Sequence, residues 1–126
     1  TYVWADSEAW CKDEIPDNEW LKPCLDIPTI RSIIRYMSDI KAEIAALPEN
    51  TPYIDEISCN CDEVILFARF IESSLQKTGK TFKNDALKSD LETFKKEFVR
   101  LWNTKNHKTG SEIFIARIDG MLKCME

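Results

Sequence analysis

Residues 51–76 read TPYIDEISCNCDEVILFARFIESSLQ, and the spacing within them decides the fold class. Ile54, Ile57, Cys61, Val64, Ile65, Ala68, Ile71 and Leu75 follow one another at steps of three, four and one. That is the period of one buried helical face. Phe67 and Phe70 widen the face, which predicts the central helix of a bundle. Thr51-Pro52 predicts its start, a cap followed by a first-turn proline. Gly79 is placed to end it.

The same period extends outward in both directions. Ile30, Ile33, Ile34, Met37, Ile40, Ile44 and Leu47 form a stripe that opens after Pro28 and stops at Pro48. Leu87, Leu91, Phe94, Phe98, Leu101 and Trp102 mark a third helix from Asn84 or Asp85 to about Thr104. A fourth begins at Ser111 and offers Phe114, Ile115, Ile118, Met121, Leu122 and Met125 for burial. Residues 1–28 read as an irregular arm carrying Trp4, Trp10, Trp20, Cys11, Cys24 and prolines at 16, 23 and 28. Ser7 and Asp17 would cap one or two short helices in it. The expected fold is all-α: a compact, disulfide-stapled bundle of four main helices with a Trp/Cys-rich N-terminal arm. It forms one domain over residues 1–126. Only three glycines occur, too few for the turns of an all-β domain.

The 126 residues suit a single core, and 44% are hydrophobic. No run approaches the length of a membrane span. Thr1-Tyr2-Val3-Trp4 lacks the features of a signal peptide, so a secreted form is expected to have lost its leader already. The net charge of −5 is unevenly spread. Residues 1–63 carry 14 acidic and 5 basic side chains, a net of −9; residues 64–126 carry 8 and 12, a net of +4. That mild basicity, without a recognised module, argues against nucleic-acid binding.

The five cysteines are Cys11, Cys24, Cys59, Cys61 and Cys124. They lack the clustered spacing of a zinc site, and His107 is the lone histidine, so no metal or other cofactor is expected. Disulfides in an oxidising compartment are the expected use, with one thiol left over. Positions two apart on a helix point roughly 200° away from each other. Cys59 and Cys61 would therefore reach separate partners, one in the arm and one in the last helix. The pairing stays open.

No catalytic pattern is complete in its spacing. Thr78-Gly79-Lys80-Thr81 resembles the tail of a phosphate-binding loop, but Ser74 stands where the first glycine belongs. His107 has no neighbouring nucleophile motif. Asp55-Glu56 and Asp62-Glu63 splay around a helix instead of converging. A binding protein, not an enzyme, is the expectation that remains.

The arm with Trp10-Cys11 and Cys24, a helical body, Cys59-x-Cys61 and a closing Leu122-Lys123-Cys124 resemble the anophensin and albicin family of anopheline mosquito salivary proteins. The resemblance covers essentially the whole chain and rests on size, acidity and cysteine placement. It implies a protein secreted in saliva that inhibits host defence by protein–protein binding. The partners it implies are host plasma proteins: components of the alternative complement pathway convertase (C3 convertase) or factors of contact activation in the kallikrein–kinin system. It carries no site residues over. Charge asymmetry alone points to Lys88, Lys95, Lys96, Arg100, Lys105 and Lys108 as a basic binding surface on a monomer. Competing readings are a helical carrier of a small apolar ligand and a four-helix cytokine-like signal. The chain lacks the six-cysteine spacing of insect odorant carriers, and its loops are short for cytokine crossovers.

Overall fold

The computed structural model describes residues 26–76, 82–104 and 111–125. Four helices follow in order: α1 Ile27–Ala45, α2 Ile54–Gln76, α3 Asp85–Thr104 and α4 Ser111–Lys123. The described secondary structure is all helical, as the periodicity predicted. The tryptophans, cysteines and short helices expected in the arm up to residue 25 lie outside the described residues, as do Gly79 and His107.

The last residues assigned to the arm belong to α1 instead. Asp26 caps it, its Oδ1 accepting from the Thr29 amide at 2.7 Å, and Pro28 sits in the first turn. A proline there loses no helical hydrogen bond. The bond from Thr29 holds the Asp26 carboxyl below its ordinary value. Asn84 does the same work for α3, accepting from the Leu87 amide at 3.0 Å and donating through Nδ2 to Ser73 Oγ at 3.0 Å. One side chain thus caps α3 and ties it to α2.

α1 and α2 form an antiparallel hairpin. Arg31 pairs with Glu72 and Lys41 with Asp62. The two cations are ten residues apart on α1 and the two anions ten apart, in reverse order, on α2, so the pairs fix the register. It sets Ile44 level with Cys59 and Ala42 level with Cys61. Arg69–Asp90 joins α2 to α3 at 2.6 Å, and Lys95–Asp119 joins α3 to α4 at 2.7 Å. Every consecutive helix pair carries such a bridge. Each is partly exposed, worth about 0–1 kcal/mol, so they set register more than stability.

Burial supplies the stability. α2 packs against both α1 and α3, as a central helix should. Phe70, Ile71, Leu87, Leu91, Ile118 and Met121 are sealed from solvent. Each such side chain contributes about 1.5–3 kcal/mol of transfer free energy. α4 is the shortest of the described helices, with 13 residues, and a helix of that length is marginal alone. Phe114 anchors it. Its ring stacks on Phe98 of α3 at 4.2 Å and lies 6.0 Å from both Phe67 of α2 and Phe94 of α3. The Phe82 amide donates to the Cys124 carbonyl at 3.2 Å, closing the far end.

Two expectations on the α1–α2 connection need correction. Leu47 was placed on the buried stripe of α1, but the helix ends at Ala45 and Leu47 is 46% exposed. α2 begins at Ile54, not at Thr51-Pro52. The cause is Tyr53, which stands at φ 61. A residue in that left-handed region cannot continue a right-handed helix. Its carbonyl accepts the first helical bond, from the Ile57 amide at 3.0 Å, so Tyr53 itself is the cap residue. It has no side-chain oxygen near enough to its backbone to cap, and Asp55 and Glu56 supply negative charge at that helix end instead.

Phe114→Ala is expected to lower the unfolding free energy by about 2–4 kcal/mol. Arg31→Ala should cost less than about 1 kcal/mol. Urea denaturation measures both, and equal costs would remove Phe114 as the anchor of α4.

Candidate functional site

The described surface has two features that stand apart from ordinary solvated helix faces. The first is a groove of about 970 Å³ over α2, flanked by α1 and α3. Ala42, Ala45, Ile65, Leu66 and Phe94 give it an apolar floor. Its rims are charged but largely neutralised. Lys41 pairs with Asp62, Arg69 with Asp90, and Arg100 with Glu97. Lys96 is exposed and has no ion-pair partner among the described residues. The groove is open, so it does not enclose a ligand as a carrier cavity does.

The second is the tip of the α1–α2 hairpin. Four large hydrophobic side chains are exposed among the described residues: Tyr36 at 66%, Leu47 at 46%, Tyr53 at 71% and Ile57 at 46%. All four lie on this hairpin and none on α3 or α4. Ile57 was expected on the buried stripe of α2. The shift follows from the register, which puts it level with Ala46, beyond the end of α1, so that α1 does not cover it. The tip is held by its own backbone. Ala46 and Leu47 donate to the Glu43 and Ile44 carbonyls at 3.2 and 3.1 Å, and Thr51 donates to Pro48 at 2.9 Å. Pro48 and Pro52 fix two further backbone angles. The left-handed Tyr53 costs about 1–2 kcal/mol that the surrounding turn must hold in place.

The basic residues singled out from charge asymmetry do not share a face. On α3, Lys88 and Lys95 are seven residues apart and fall on one side. Lys96 and Arg100 are four apart and fall on another, roughly 120° around the helix. Lys95 Nζ is bonded to Asp119 at 2.7 Å, and Arg100 is clamped by both Glu97 oxygens, at 3.1 and 2.5 Å. The clamp lowers the Glu97 carboxyl and raises the Arg100 guanidinium from their usual values. α3 carries four acidic and four basic residues, so its net charge is zero. The positive surplus of the second half comes mostly from Lys77, Lys80, Lys105 and Lys108. These four, two of them candidates, lie outside the described residues.

Cys59 and Cys61 are free, buried thiols, which overturns the expectation that one bridges to the arm and the other to the last helix. The register explains why: Ile44 and Ala42 stand level with them, and no described cysteine faces them across the hairpin. Burial pushes the Cys59 thiol up to about 11, with Asp62, Glu63, Glu97 and Glu56 adding to the effect. Burial and Asp62 raise Cys61 as well, against the pull of Lys41. Both are protonated at neutral pH and poor nucleophiles. Cys124 is disulfide-bonded. Its partner lies outside the described residues, where Cys11 and Cys24 fall. Among the described residues no cluster of His, Cys, Asp and Glu could hold a metal ion. No helix among them is long and apolar enough to cross a membrane.

Glu63 is half-buried on α2, and desolvation raises its carboxyl despite the opposing charge of Arg117. The tip residues were missed in the sequence because Leu47 and Ile57 fit helical stripes. The available signal was the pair of prolines, Pro48 and Pro52, enclosing an aromatic among Glu49, Asp55 and Glu56. Comparison with family models, curated proteins and solved structures finds no match.

Two outcomes check this picture. In native protein, Cys59 and Cys61 should resist a thiol reagent at pH 7 and react once the chain is denatured; prompt native labelling of either one, located by peptide mapping, would contradict their burial. The raised Glu63 carboxyl favours the fold in its protonated form, so that contribution is present below 4.5, its unperturbed value, and lost as pH rises through the folded value. Glu63→Gln should therefore raise the melting temperature at pH 7, with the gain vanishing below pH 4.5.

Proposed function

We propose that this chain is a secreted inhibitor of host defence that works by occupying the surface of another protein, without turning over a substrate. The observation that carries the reading is the distribution of exposed apolar side chains. Among the described side chains, the exposed large hydrophobics Tyr36, Leu47, Tyr53 and Ile57 all lie on one hairpin. Leu47, Tyr53 and Ile57 fall at its tip end, and exposed apolar side chains gathered at one end of a small domain suit a contact site. An aromatic on a pre-formed turn suits such contacts because little freedom is lost on binding.

The resemblance to the anophensin and albicin family narrows the partner to host plasma proteins. Within that class the alternative pathway C3 convertase comes first and the contact factors of the kallikrein–kinin system second. The carrier reading gains nothing from the open, ion-paired groove. The arm is proposed to be tied to α4 through Cys124, since Cys59 and Cys61 are free.

Lysis of rabbit erythrocytes in human serum, under conditions that allow only the alternative pathway, should fall in proportion to added protein at micromolar concentration. Undiminished lysis rules out the complement assignment, and an unchanged kallikrein release in activated plasma rules out the contact assignment. Non-reducing peptide mapping should recover Cys124 linked to Cys11 or Cys24; a link elsewhere sinks the proposed tether.

A further inference from the structure

Tyr36 and Tyr53 are both largely open to solvent, at 66% and 71%. Their surroundings are opposite. Within five positions of Tyr36 stand Arg31, Arg35 and Lys41 against Asp39. Within five positions of Tyr53 stand Glu49, Asp55 and Glu56, and no lysine or arginine occurs from residue 42 to residue 68. Arg100 of α3 comes near enough to feel Asp55, but both oxygens of Glu97 already clamp it. The backbones differ too. Tyr36 lies in the middle of α1, with its amide and carbonyl committed to the helix. Tyr53 stands before α2 at φ 61, after the Pro48–Thr51 turn and next to Pro52, at an end where α1 has stopped.

We infer that Tyr53 is a site of tyrosine O-sulfation, made while the chain passes through an oxidising secretory compartment. The disulfide at Cys124 points to that route, and the inference rests on the reading of the chain as secreted. The donor in such a transfer is a nucleotide phosphosulfate, itself strongly anionic, so the transferase that holds it presents a basic surface. An acidic loop is drawn to that surface, whereas the bases flanking Tyr36 are repelled. A phenol on a projecting turn also reaches a cleft that a mid-helix side chain enters only if the helix unwinds. In the transfer the Tyr53 phenol oxygen attacks sulfur. An O–S bond forms, and the bond from sulfur to the bridging phosphate oxygen breaks. The phenol proton passes to a base of the transferase, and the nucleotide leaves with the bonding electron pair.

The test uses the full chain, exported by a cultured animal cell line that sulfates its own secreted proteins, and mapped by mass spectrometry. Most of the peptide carrying Tyr53 should bear a sulfo group that is lost in acid and resists phosphatase. The peptide carrying Tyr36 should stay unmodified. Chlorate, which blocks formation of the sulfate donor, should remove the group. Tyr53→Phe should abolish it with an unchanged melting curve, since only an exposed hydroxyl is lost. Glu49→Gln with Asp55→Gln should lower its occupancy at least about fivefold. An unmodified Tyr53 in exported protein overturns the inference and leaves the secreted reading intact. So does a phosphatase-sensitive group on Tyr53, equal sulfation of Tyr36, or an occupancy that the Glu49 and Asp55 substitutions leave unchanged. A chain that fails to reach the medium with Cys124 bridged overturns the secreted reading and the inference together.

Discussion

The ring of Phe114 lying 4.2 Å from that of Phe98 is the contact on which the lower half of the bundle depends. A 13-residue helix has too few internal bonds to persist by itself. Phe114 gives α4 something to hold: Phe98 and Phe94 on α3 and Phe67 on α2. Phe98 in turn leans on Trp102 at 5.3 Å. Offset aromatic pairs add about 0.5–1.5 kcal/mol beyond their buried area. Once the cluster forms, Ile118, Met121 and Met125 fall into the core, and Cys124 arrives where Phe82 donates to its carbonyl.

The upper half depends on a different constraint. Two ion pairs with matched ten-residue spacing set the antiparallel register of α1 and α2. Their energies are small, but a shift by one residue would break both at once. The register has a consequence for the surface. α2 starts level with a point beyond the end of α1, so its first turn is bare on one side. Ile57, a core residue by its spacing, is left in solvent with Leu47 and Tyr53. The exposed apolar tip thus follows from the same geometry that buries Ile44.

Charge shows how little a sum over half a chain says about a face. The basic excess of residues 64–126 is real, yet on α3 each sign cancels the other. Lys95 is used to hold α4, and Arg100 is bound to a carboxylate one turn earlier. Both serve the fold. The acidic residues Glu43, Glu49 and Asp55 gather at the tip end of the α1–α2 hairpin, in the half of the sequence that carries the acidic excess.

The sequence by itself determined the all-helical class, the bounds of α3 to within a residue, the start of α4 and the central role of α2. These depend on neighbours within one or two turns: periodic apolar residues, a cap, a proline. Tertiary structure alone decided the rest. Whether Leu47 and Ile57 are buried depends on where a second helix ends, which no local pattern records. Whether Cys59 and Cys61 form bridges depends on what lies across the hairpin, and Ile44 and Ala42 lie there. Whether six basic residues make a surface depends on which carboxylates fold against them. Local spacing encodes the period of an element, while exposure, pairing and neutralisation belong to residues far apart in the chain that only packing brings together.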